Sequence, residues 1–207
     1  IDVVGLYAEK LCEIINIPEN TEVDVFVMEK QNVNKLDTKT KDGIHIIFGI
    51  SLHKAAQVLL RKKILEELPD LWDTLPITNS WDDVIDEGIV KGFVNWQLYG
   101  SRKPNNQQYL VKYHYKLTRT KNWDIDINPI CKFDTKKNIK KLSARYDKYP
   151  KFEYKDHVKK VIEDTKKGLN KSSNSKKPVL KLKKKDTGIP IQYDKIKNAG
   201  ELDALIA

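Results

Sequence analysis

His45 lies in the run Lys41-Asp42-Gly43-Ile44-His45-Ile46-Ile47-Phe48, alternating with isoleucines on what reads as a strand. Successive strand side chains point to opposite faces, so His45 lies opposite Ile44 and Ile46. Two roles fit it. One is a buried, hydrogen-bonded core histidine, which composition alone favours. The other is a phosphate ligand at a cleft, helped by Gly43 and by Lys41. Asp86, in Val84-Ile85-Asp86-Glu87-Gly88, follows an apolar pair and precedes a glycine. A carboxylate so placed suits a hard cation such as Mg²⁺, and equally a turn at a helix end. Gly100-Ser101-Arg102-Lys103-Pro104 packs a hydroxyl and two cations into a tight turn. Such turns can present donors to a phosphate.

These residues need elements to hold them. Val3 to Ile15 has apolar residues at helical spacing, and Ile17-Pro18-Glu19-Asn20 ends it. Val23 to Met28 and Ile44 to Ile50 are rich in β-branched residues and read as strands, separated by a polar loop from Gln31 to Asp42. His53 to Leu68 reads as a helix that Pro69 stops. Ser80 and Asp83 have capping-box spacing, which predicts a short helix from Ser80. Tyr109 to Thr118 and Ile125 to Ile127 read as strands, and Asn138 to Tyr146 as helix. Strands mixed with helices imply an α/β or α+β fold.

The 207 residues allow one domain with a real core plus an appendage. With 40% hydrophobic and 32% charged residues the composition is that of a soluble protein, and no run approaches the ~18 apolar residues of a spanning helix. The first residues lack the features of a signal peptide. Cys12 and Cys131 stand far apart, giving neither a zinc site nor a disulfide framework, so a reducing compartment is expected. The net charge of +9 is uneven. Residues 1–131 carry 16 Lys and Arg against 19 Asp and Glu, a net −3, whereas residues 132–185 carry 20 against 6, a net +14. That block suits a polyanion such as nucleic acid, and equally a solvated lysine-rich linker.

The order of the three candidate segments carries more than any one of them. "KDGIHIIFGI" followed by "DEGIVKGFVNWQLYGSRKP" resembles the archaeo-eukaryotic primase superfamily, and above all the primase part of helicase–primases of nucleocytoplasmic large DNA viruses. That superfamily has a carboxylate-x-carboxylate motif, then a small-x-His motif, then an apolar-Asp motif and a basic segment. Gly43-Ile44-His45 falls on the second motif, with glycine where serine is often found, and Ile85-Asp86 falls on the third. Ser101-Arg102-Lys103 falls on the Ser-x-Lys that related primase-polymerases carry. Gln97 stands where those proteins tend to place an arginine. The resemblance spans roughly Val3 to Arg145 and implies a primase-type catalytic core.

It further implies template-directed primer synthesis from nucleoside triphosphates by two-metal nucleotidyl transfer, with Mg²⁺ or Mn²⁺ as cofactor. Asp86 would be the metal ligand, and Lys41, His45, Ser101, Arg102 and Lys103 would hold the triphosphate. The first motif would precede the helix that begins near Ile1, so the chain is expected to be a fragment that is inactive alone. Glu22-Val23-Asp24 is a candidate carboxylate pair on a strand, both side chains on one side, but its order matches the family's next strand. The implied domains are a primase core over 1–150, a lysine-rich and largely disordered linker over 151–190, and the start of a helical domain over 191–207. A Walker A motif is absent, so a helicase ATPase would lie elsewhere in the parent chain. Implied partners are a single-stranded DNA template, nucleoside triphosphates and that helicase domain. No membrane is implied, an oligomeric parent is left open, and the expected location is the host cell cytoplasm. The rival reading is a non-catalytic module that binds nucleic acid or serves as a scaffold in a replication complex.

Overall fold

A computed structural model describes residues 2–173, apart from residues 36, 39, 92–95, 105, 121–124 and 144–145. The fold is α+β: helices packed on an antiparallel sheet. The first helix, α1 (Asp2–Ile14), buries Val4, Leu6, Ala8, Leu11 and Ile14. The central strand, β1 (Glu22–Lys30), follows. The polar loop after it contains a two-residue hairpin, β2 (Asn34–Lys35) and β3 (Thr40–Lys41), which its composition does not announce. Next come β4 (Ile44–Phe48) and α2 (Lys54–Leu71). Helix α2 runs two residues past Pro69, because a proline removes one backbone donor and the last turn closes through Trp72 N–H to Leu68 O. Two short helices, α3 (Trp81–Val84) and α4 (Glu87–Lys91), precede the long strand β5 (Tyr109–Arg119) and its partner β6 (Ile125–Pro129).

The sheet order is β4-β1-β5-β6, with every pair antiparallel. Strand β1 is buried on both faces. Val23, Val25 and Val27 pack with Val4 and Ala8 of α1 and with Tyr115 and Leu117 of β5. Phe26 and Met28 face the other way, onto Ile47, Tyr109 and Leu142. The second face is covered by the segment after β6, where a helical turn, α5 (Thr135–Asn138), passes into a 3-10 turn over Ile139–Leu142. The single helix expected over Asn138–Tyr146 is thus shorter and starts earlier, since Asp134 accepts from Lys137 N and caps it there.

On the outer side, α1 crosses α2 and the pair is clamped by Lys10. This lysine is only 5% exposed and meets Glu9, Glu13 and Glu67, while Lys63 of α2 reaches Glu13 at 2.5 Å. Burial alone would lower the ammonium's pKa, but the surrounding carboxylates outweigh it and raise it.

The expected linker over 151–190 is corrected by the structure. The first compact unit runs to Ser172 rather than ending near 150. Residues 153–155 are stitched to the end of α1 through Asn16 N–H to Glu153 O and Lys155 N–H to Ile14 O. Helix α6 (Asp156–Ser173) then buries Val158 and Ile162 against α1 and α2, with Leu169 packed beside them. Its apolar stripe is only one residue wide amid lysines, so composition hides it. The rest of that linker, residues 174–190, and the helical start over 191–207 lie outside the described residues.

Because Ile162 is fully buried, Ile162→Ala should cost about 2–5 kcal/mol, the usual range for emptying a core isoleucine site. Chemical unfolding of residues 1–207 measures this, and a detached linker would show no change.

Candidate nucleotide site

Gly43, His45 and the 97–101 loop come together around one residue, Tyr109. Strand β4 places His45 beside Met28 of β1, on the sheet face opposite α1. Strand β5 would by simple alternation place Tyr109 on the α1 side with Tyr113 and Tyr115. A β-bulge prevents this. The pairing steps from Val27↔Tyr113 to Met28↔Val111, leaving Lys112 as the extra residue, and Val111 and Tyr109 turn to the His45 side. The Tyr109 ring then stacks on His45, with centroids 3.9 Å apart and planes 9° apart, and Trp96 lies at 4.7 Å on a tilted plane.

Backbone bonds fix the loop to the same residue. Gly100 N–H donates to Tyr109 O at 2.8 Å, and Tyr109 N–H donates to Ser101 O at 3.3 Å. Gly100 has φ +76, a left-handed conformation that favours glycine. Ser101 Oγ donates to Leu98 O at 2.7 Å, closing the turn. Arg102 and Lys103 are exposed beyond it, and Lys41 is exposed on β3. Gly43 touches the same ring: a Cβ there would come within 2.6 Å of the Tyr109 hydroxyl. That explains glycine where the resembled motif often has serine.

His45 Nδ1 lies 3.0 Å from the Gln97 carbonyl. Burial pushes the imidazole down to about 4, partly opposed by that carbonyl and helped by the charge of Lys30. His45 is therefore neutral near pH 7. Neither Tyr109 nor the Gln97 carbonyl was expected at the site. Tyr109 reads as an ordinary strand residue, and a carbonyl has no side-chain signature.

Asp86 is held by a different set of contacts. It lies in the turn between α3 and α4, which α2 holds: Arg61 Nε donates to Ile85 O at 2.8 Å and Arg61 Nη2 meets Asp82 Oδ1 at 3.0 Å. The Asp86 carboxylate is exposed and accepts from Gly88 N–H at 2.7 Å. Ser80 caps α3 as its spacing predicts, its Oγ accepting from Asp83 N–H at 3.2 Å.

Asp24 is committed elsewhere. Its side chain, 10% exposed, meets Lys141 at 2.6 Å, Lys116 at 2.9 Å and His114 Nε2 at 2.9 Å. Burial alone would raise this carboxyl, but the bonds from Lys141, His114 and Lys116 win and hold it at about 2. Glu22 is exposed, 3.7 Å from Lys116. Among the described residues no group of three His, Cys, Asp or Glu side chains could hold a metal ion. The described residues do not by themselves fit a two-metal centre.

A family profile described as "C962R protein N-terminal AEP domain" matches residues 2–115, more than half of the chain. The chain belongs to this archaeo-eukaryotic primase family. The match to this primase-type domain takes in α1, β1, β4, α2, the Asp86 turn and the 97–101 loop, and it ends within β5. The chain is also similar to the "Putative helicase L207/L206" of Acanthamoeba polyphaga mimivirus, with 27% identity over 143 residues. That alignment covers 67% of this chain and 15% of the mimivirus protein. The chain thus spans a small part of the relative's length.

Two outcomes test the geometry of this primase-family domain. Gly43→Ala should displace Tyr109 and disturb His45, whereas in a Tyr109→Phe background the same change should be tolerated, because the next ring atom lies 3.7 Å away. Ring-proton shifts of His45 and melting temperatures of the single and double variants read this non-additivity. Asp24 stabilises the fold fully above its ordinary pKa of 3.8, and its contribution is lost as pH falls toward about 2. Unfolding free energies measured across that window should drop by about 2 kcal/mol more for the native protein than for Asp24→Asn.

Proposed function

We propose that this domain holds the nucleoside triphosphate for a viral DNA primase, and that its parent protein makes primers by template-directed nucleotidyl transfer. The observation that carries the reading is the meeting of the Gly43–His45 strand with the Gln97–Ser101 loop on Tyr109. Two segments that are separate in sequence, and that both resemble primase nucleotide-binding motifs, share one support. In this reading His45, Lys41, Ser101, Arg102 and Lys103 contact the triphosphate, and Arg102 and Lys103 extend from the closed turn as its cationic arm. Fixed donors of this kind stabilise charge on phosphate oxygens.

Asp86 is the candidate ligand for Mg²⁺ or Mn²⁺. A two-metal reaction requires carboxylates beyond it, and Asp24 is held by its cations. The reading therefore places the remaining carboxylates in a preceding part of the parent, and takes residues 1–207 alone as inactive. The similarity to a putative helicase supports a parent in which an ATPase unwinds DNA while this domain primes it on a single-stranded template. In this reading the parent works in the cytoplasm of the host cell.

A primer-synthesis assay tests this. Residues 1–207 should make no primer. A chain extended upstream through a carboxylate pair should make primers with Mg²⁺ or Mn²⁺. In the extended chain Asp86→Ala should abolish synthesis, and Lys103→Ala should raise apparent KM more than it lowers kcat, as expected of a contact made equally in ground and transition states. Synthesis surviving Asp86→Ala would end the metal-ligand assignment.

A further inference from the structure

His45 has one ring nitrogen committed and one left to act. The Gln97 carbonyl can only accept a hydrogen bond, so Nδ1, 3.0 Å away, carries the hydrogen. In the neutral ring Nε2 is then a bare lone pair, and no described residue is found bonding to it. A lone pair cannot donate to a phosphate oxygen; only the imidazolium can. Exchange of the two nitrogens requires the ring to turn over, and it is wedged: Tyr109 lies flat against it at 3.9 Å and Trp96 stands at 4.7 Å.

We propose that Tyr109 is the positioning residue of the nucleotide site, fixing His45 as the Nδ1–H form so that binding a phosphate group takes up one proton at Nε2. The inference rests on the reading of His45 as a triphosphate contact and extends it to how that contact is made. The step is a proton transfer alone. A solvent proton joins Nε2, a charge-assisted N–H···O bond forms to the phosphate oxygen, and no bond to phosphorus changes.

The surroundings favour this order of events. Burial first, and then Lys30 of β1, keep the free imidazole unprotonated, against the pull of the Gln97 carbonyl. Lys30 Nζ stands 5.3 Å from the Tyr109 ring centre. Burial and the charge of Asp42 raise the Tyr109 phenol, so that ring stays neutral. Lys41 is exposed on the neighbouring hairpin. A triphosphate brings negative charge to the open ring nitrogen, which favours the imidazolium. The sign follows: the histidine's contribution to binding is largest at low pH and is lost as pH rises through its pKa in the complex.

The experiment uses residues 1–207 labelled with ¹⁵N at histidine, with inorganic triphosphate as the probe. In the free protein at neutral pH, His45 should show a protonated Nδ1 and a bare Nε2, and Tyr109→Phe should preserve that pattern because it keeps the stacked ring. Tyr109→Leu should give mixed tautomers and a pKa nearer the ordinary histidine value, with circular dichroism confirming that it folds. Gly43→Ala, which disturbs Tyr109 from the other side, should do the same should Tyr109→Leu fail to fold. Saturation with triphosphate should protonate Nε2, and titration calorimetry in two buffers of different ionisation enthalpy should find one proton more taken up than by His45→Gln. The affinity ratio of the native protein to His45→Gln should fall about tenfold per pH unit while the free ring is neutral and the bound ring charged. A native ring already carrying hydrogen on Nε2, or triphosphate binding with no extra proton, would overturn the inference while leaving the nucleotide-site reading intact. Absence of any triphosphate binding would overturn both.

Discussion

Asp24 lies on the strand that the rest of the sheet is built around, and a carboxylate there is tolerated only because Lys116, Lys141 and His114 converge on it. Removing a charge from water is costly unless opposite charges and hydrogen bonds replace the lost hydration. Those partners come from β5 and from the 3-10 turn after α5, so satisfying one side chain ties the covering segment to the sheet. Tyr149 adds to the tie by donating its hydroxyl to Lys141 O. The aromatic layer of Phe26, Phe133 and Tyr149 closes over the same face. The support of His45 and the anchor of Asp24 are therefore two ends of one face, with Met28 and Phe26 between them.

The candidate site has two supports of different kinds. The His45 half stands on the sheet and is held by stacked rings and backbone bonds, which leave few rotamers open. The Asp86 half stands on a turn between two short helices, held by Arg61 bonding to Ile85 O and Asp82. A reaction needing both halves depends on how α2 sits against the sheet, and that packing is fixed by the core shared by α1, α2 and α6. Helix α6, hidden in a lysine-rich stretch, thereby bears on the placement of Asp86.

Much of this was legible in the sequence where local patterns decide the outcome. The apolar spacing of α1, the β-branched runs of β1 and β4, and the Ser80 cap all follow from interactions within a few residues. His45 was legible as a residue of interest, and it is half-buried and hydrogen-bonded as a histidine alternating with isoleucines suggests. What was illegible is long-range. The partners of Asp24 lie 90 to 117 residues away, and the stripe of α6 takes meaning only from the groove it fills. Tyr109 was invisible for a sharper reason. Tyr109, Val111, Tyr113, Tyr115 and Leu117 alternate as though they shared one face, and the bulge divides them.

Lys112, the extra residue of that bulge, is exposed on the long strand. Its side chain has no core position to defend, so many residue types can stand there. Its removal would be tolerated as well. Without it Val111 adjoins Tyr113 directly, so Val111 still meets Met28 and Tyr109 still meets Lys30, in a register that no longer needs a bulge. What turns Tyr109 and Val111 to the α1 side is the opposite change, a strand that keeps every residue and loses the bulge. The wall behind His45 therefore depends on parity: a lineage could vary this letter or drop it, but a strand that took the same residues into regular alternation would dismantle that wall.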